Sequence, residues 1–116
     1  MNLLQQWGAT IKQARQIILD EVVEQFINSA RVQPEESFVA GNKYVLTFSN
    51  ERDAIKIQKL LNKYRIMNGA EKHHLDTGDV ITYVYIDIRS LVGSMIYRTL
   101  KQQIDEGNYD KRRFKI

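Results

Sequence analysis

Val80-Ile81-Thr82-Tyr83-Val84-Tyr85-Ile86-Asp87-Ile88 is rich in β-branched and aromatic residues and reads as a strand with two unlike faces. Val80, Thr82, Val84, Ile86 and Ile88 make one face, aliphatic enough to lie on helices. Ile81, Tyr83, Tyr85 and Asp87 make the other. Just upstream, Asp76-Thr77-Gly78-Asp79 reads as a hairpin turn, because glycine supplies the positive φ such loops need, and residues 70–75 become a short partner strand. Further out, Lys43–Ser49 has the composition of another strand. Ser49 or Asn50 then caps a helix whose first turn carries Glu51 and Asp53 and whose inward residues are Ala54, Ile57, Leu60, Leu61 and Tyr64. Asn68-Gly69 reads as the stop of that helix, which would run to about Met67. On the other side of the central strand, Ser90 reads as the cap of a last helix through Glu106, ended by Gly107-Asn108. Arg112–Ile116 is long enough for an edge strand.

At the amino terminus, Leu4, Trp7, Ile11, Ala14, Ile18, Val22, Phe26 and Ala30 recur at steps of three or four, as one face of a helix requires. Thr10 with Gln13 makes a capping box that starts the regular helix near Ile11, and Pro34 lies just past its end. Unbroken over residues 1–33, the element would reach about 40 Å or more at 1.5 Å per residue. That is long for so small a chain, so Trp7, Ile11, Ile18 and Phe26 are assigned to a homo-oligomer interface. In order the elements are one helix, then β-α-β-β-α-β. The expectation is an α+β chain of one domain, residues 1–116, with the helix of residues 1–33 on a ferredoxin-like body over residues 43–116.

With 116 residues, 43% of them hydrophobic, the chain can build one core. No run approaches a membrane span. The amino terminus lacks a basic region ahead of an apolar one, so the expectation is a cytoplasmic protein without a secretory leader. The absence of cysteine removes disulfides, thiolate metal sites and thiol nucleophiles. The net charge of +3 is unevenly spread, since Lys111, Arg112, Arg113 and Lys115 stand in the last six residues and the rest of the chain sums to −1.

Two tyrosines two residues apart on an uncovered sheet are the arrangement with which RNA-recognition sheets stack bases. The layout of residues 43–116 resembles an RNA-recognition motif. Where that family's signature has a basic residue, glycine, an aromatic and a small residue before Phe-Val and a last aromatic, this chain has Gly78-Asp79-Val80-Ile81-Thr82-Tyr83-Val84-Tyr85. The candidate single-strand nucleic-acid site is therefore Tyr83 and Tyr85, extended by Tyr44 or Val45 according to register, with Lys111, Arg112, Arg113 and Lys115 for phosphates. The plainer reading, which comes first, is that both tyrosines pack under the first helix or in a dimer interface.

Arg52, Lys56, Lys59 and Lys63 line one helix face, which reads first as a solvated surface pointing away from those tyrosines. His73 and His74 are adjacent, so on a strand they point to opposite faces and cannot share one metal. Neither a Gly-rich phosphate loop nor a nucleophile elbow occurs. The reading is a non-catalytic binding protein without metal or cofactor. Its partner is nucleic acid or, alternatively, a second copy or an unidentified protein held by the first helix.

Overall fold

A computed structural model describes residues 11–116. Its elements are α1 (Ile11–Ala30), β1 (Glu36–Ala40), β2 (Lys43–Phe48), α2 (Glu51–Lys63), β3 (Asn68–His74), β4 (Val80–Asp87), α3 (Ile88–Val92) and α4 (Met95–Asp105). The chain is α+β, with four strands in one antiparallel sheet of order β1-β2-β4-β3. β4 lies between β2 and β3 and runs antiparallel to both, so β2, α2 and β3 make a split β-α-β unit. Those three strands stand in the order expected of a ferredoxin-like body.

The fourth place differs. Residues 112–116 form no strand, and the edge beside β2 is taken by β1, from upstream. Two local causes account for the exchange. Ala40 pairs with Lys43 across a two-residue loop, and Gly41 at φ 60° fills the first loop position, where a type II′ turn needs glycine. At the other end, Asp110 folds the tail into a turn, its carbonyl accepting from the Arg113 and Phe114 N–H groups at 3.0 Å each.

Two helix ends also differ from expectation. α2 stops at Lys63 because Arg65 takes a left-handed φ of 58° and Ile66 N–H returns to the Leu61 carbonyl at 3.0 Å, burying the Ile66 side chain. Asn68-Gly69 therefore opens β3 rather than closing the helix. The last helix is broken in two. Asp87 caps α3, accepting from Ser90 N–H at 2.9 Å, and after Gly93 the Ser94 hydroxyl accepts from Tyr97 N–H to cap α4. Ser90 Oγ serves instead as acceptor for the Met67 N–H at 2.7 Å, tying the start of β3 to α3.

The helices gather on one side of the sheet. Tyr44, Leu46, Phe48, Val84 and Ile86 form the sheet's contribution to the core, against Ile18, Val22 and Phe26 of α1, Ile57 and Leu61 of α2, and Leu100 and Ile104 of α4. Phe26 meets Tyr64 edge to face at 5.6 Å. Ile18 and Phe26 thus belong to the chain's own core, at 1% and 0% exposure, and offer no surface to a second copy. The length of α1 is used to cross two other helices. Trp7 lies outside the described residues, and of Ile11 only the backbone is described.

Candidate interaction face

Alternation along β2 and β4 sends every second residue away from the helices. The rows on that side are Glu36, Thr47, Tyr83 and Glu71; then Phe38, Val45, Tyr85 and Gly69; then Ala40, Lys43 and Asp87; with Ile81 beside His73. None of these residues belongs to the helix-side core, and among the described residues no helix packs on this face. Tyr83 and Tyr85 are half-buried neighbours, their rings 6.2 Å apart, as the sequence places them. The His73 ring lies on Tyr83 at 4.2 Å, and the Tyr85 hydroxyl donates to Glu71 Oε2 at 3.1 Å. Partial desolvation, and then that bond, raise the Tyr85 hydroxyl above its ordinary pKa. His73 Nε2 is shut off from solvent and stands 3.6 Å from Glu71 Oε2, beyond hydrogen-bond distance. His74 points to the other side of β3.

The charge of the face is acidic. Glu36, Glu71 and Asp87 stand on it, and its one lysine, Lys43, is paired with Asp87 at 3.1 Å. The Ser90 N–H and then Lys43 hold the Asp87 carboxyl below the usual carboxylate range.

Register decides between the two candidates on β2. Val45 faces the tyrosines, whereas Tyr44 lies opposite Ile86 on the covered side, 6% exposed, with its hydroxyl donating to Asp20 at 2.7 Å. Burial first, and the Asp20 carboxylate next, push the Tyr44 hydroxyl far above its ordinary pKa. Tyr44 is a core residue and leaves the candidate site.

The basic tail also separates from the tyrosines, because it docks on the helical layer. Tyr109 packs edge-on against Phe114 and donates to Glu21 at 2.9 Å, while Gln25, buried in α1, donates to the Tyr109 hydroxyl at 2.8 Å. Lys111 reaches Glu24 at 2.6 Å, a bond that raises the lysine's pKa. Arg112 and Arg113 are nearly fully exposed beside Asp110, and Lys115 is exposed as well. The sheet therefore stands between these cations and Tyr83 with Tyr85, and one bound strand cannot use both. Arg52, Lys56, Lys59 and Lys63 are exposed on the outer side of α2, in the same helical layer.

Two members of the face escape a reading by residue type. Phe38 sits on the strand missed in the sequence, and Gly41-Asn42 between two apolar runs is the signal that would have found it. Glu71 has no residue-type signal for its partnership with Tyr85, which depends on the β3–β4 register. Among the described residues no helix is long and apolar enough to cross a membrane. Comparison with protein-family models, with curated proteins and with solved structures returns no match for the chain.

Proposed function

We propose that this chain is a non-catalytic binding protein whose working surface is the sheet face on which, among the described residues, no helix packs, and that the partner is a protein bearing basic residues around an apolar contact. The observation that carries this reading is the composition of the face. Phe38, Ile81, Tyr83 and Tyr85 are its accessible apolar and aromatic members, and Glu36 and Glu71 stand on it without a lysine or arginine partner among the described residues. Tyrosine suits such a surface, since it offers large apolar area, little side-chain entropy to lose and a polar tip. Panning a displayed-peptide library on the immobilised full chain tests it, with Tyr83→Lys/Tyr85→Lys as the counter-screen. The expected enrichment is sequences that join Lys or Arg to apolar residues and lose binding to the variant. Enrichment of sequences that bind both forms equally would overturn the reading.

A second reading, single-stranded nucleic acid, is favoured by the neighbouring, half-buried pair of tyrosine rings, and is weakened by the acids around them. Fluorescence polarisation with labelled single-stranded RNA, single-stranded DNA and duplex DNA at low and moderate salt separates the two. On the protein reading, Tyr83→Ala/Tyr85→Ala changes none of these titrations. A loss of about 1–3 kcal/mol per stacked base in that variant, with steep salt dependence, makes nucleic acid the partner instead.

A further inference from the structure

β1 is an edge with its backbone only half used. Antiparallel pairing engages both backbone groups of alternate residues. With Ala40 opposite Lys43 across the turn, Glu36, Phe38 and Ala40 face β2, and the N–H and C=O groups of Ser37 and Val39 point outward. Among the described residues no backbone bond from another element reaches them. The strand is also apolar for an edge: Phe38 is 40% and Val39 42% exposed. β3, at the opposite edge, carries Glu71, Lys72, His73 and His74. Charges of that kind block strand addition, and β1 has none between Ser37 and Ala40.

Alongside this edge, between β1 and α1, runs a groove of about 490 Å³. Val23, Ile27, Val39 and Tyr44 supply apolar walls, and Asp20 and Glu24 supply carboxylates one helical turn apart. Among the described residues Asp20 accepts from Gln16 and Tyr44, both neutral, at 2.8 and 2.7 Å. Glu24 already holds Lys111, so the chain itself shows a lysine of an irregular segment seated on this acidic row.

We infer that β1 and this groove are a docking site for an extended, basic peptide segment of another protein, which adds to the sheet as a fifth strand. Its backbone pairs with the outward groups of Ser37 and Val39. Alternate side chains enter the groove, and lysine or arginine fits best there, with the stem along Val23, Ile27 and Val39 and the head at Asp20 and Glu24. The intervening side chains lie beside Phe38 on the open face and are apolar. At 3.3 Å per residue, about five or six residues match the length of β1. The sign of the charge reverses beyond Val39, where Lys12, Arg15 and Arg89 surround the adjoining depression, and this confines the basic residues to the Asp20–Glu24 end. The inference concerns the edge and does not depend on what binds the face.

The test uses the full chain and a fluorescent six-residue peptide alternating valine with lysine or arginine. A valine–glutamate peptide and a scrambled peptide in which proline replaces each valine serve as controls. Binding of the basic peptide alone is expected, together with slowed hydrogen exchange at Ser37 and Val39. Val39→Pro deletes an outward N–H that β2 does not use, so it preserves the sheet and weakens binding at least about tenfold. Asp20→Asn, which leaves the edge untouched, weakens it about threefold. Tyr83→Ala/Tyr85→Ala leaves it unchanged, which distinguishes this site from the face. Equal binding of the acidic peptide, or indifference to both Val39→Pro and Asp20→Asn, would overturn the inference. So would a concentration-dependent doubling of mass that Val39→Pro abolishes, because the edge would then belong to a second copy.

Discussion

Leu46 and Val45 are neighbours on β2, exposed to 0% and 1%, yet they are buried by different things. Leu46 is sealed by helices, in one cluster with Phe26, Ile57 and Leu100. Val45 lies outside that cluster, on the side where its cross-strand neighbours are Phe38 and Tyr85. Low exposure on the helical side reflects packing between elements, which a mutation disturbs as a whole. On the other side the cross-strand neighbours of Val45 are Phe38 and Tyr85, and among the described residues no helix packs there. The comparison separates the residues that hold the fold from those free to serve a contact.

The largest effect should come from the covered side. Phe26→Ala removes a ring between α1 and Tyr64 and should cost about 3–5 kcal/mol in denaturant unfolding. The mass in sedimentation should not change, because Phe26 lies in the interior; a fall in mass would return it to an interface. A sharper comparison uses the adjacent pair. Leu46→Ala should cost about 2–5 kcal/mol, with its cavity enclosed by helices. Val45→Ala should cost about 1.6 kcal/mol, the transfer value of the two lost carbons at about 0.8 kcal/mol each, as neighbouring rings settle into the space. Equal costs would mean that the open side is packed as tightly as the core.

The alternation in residues 80–88 is what made the two sides legible in the sequence, and the structure divides Thr82, Val84 and Ile86 from Tyr83 and Tyr85 as that pattern requires. Register was not legible. Tyr44 and Val45 both suit a strand, and only the pairing of Val45 with Tyr85 puts Tyr44 beneath α1. Nor was the use of α1 visible, because a long apolar stripe looks the same whether it faces a second chain or two helices of its own. The tail misled for a related reason. Its four cations dominate the composition, whereas Tyr109, which docks it, is a single residue whose partners on α1 lie more than eighty positions away. The chain end was read by charge and is placed by packing.

An intermediate effect belongs to the hydroxyls on the helical side. Tyr44→Phe deletes the bond to Asp20 and should cost about 0.5–1.5 kcal/mol near neutral pH. Tyr44 and Tyr109 both have pKa values raised in the folded chain, by burial first. Their protonated forms are thus favoured by folding. The sign follows directly: this contribution is complete below the unfolded tyrosine value and is lost as pH climbs through it, from about pH 10 upward. Lys111, raised by its bond to Glu24, adds in the same direction. Unfolding midpoints measured between pH 8 and pH 11 should therefore fall at the alkaline end. The fall should be shallower in Tyr44→Phe/Tyr109→Phe, and an equal slope in that variant would mean these hydroxyls ionise freely in the folded state.

The smallest effect on stability, and the most informative about function, is expected at Tyr83 and Tyr85. Each ring contributes through cross-strand and diagonal neighbours on its own sheet: Tyr83 with His73, and Tyr85 with Glu71. Such pairs are worth about 0.2–1 kcal/mol. Tyr83→Thr and Tyr85→Thr replace aromatic strand formers with a β-branched one, so each should move stability by less than about 1 kcal/mol, and the double variant should remain folded and at its original mass. Any loss of partner binding is then a property of the face rather than of folding. A cost near that of Leu46→Ala would instead place both rings in structural service, and the uncovered side of the sheet would lose its claim as a contact surface while the β1 edge kept its own.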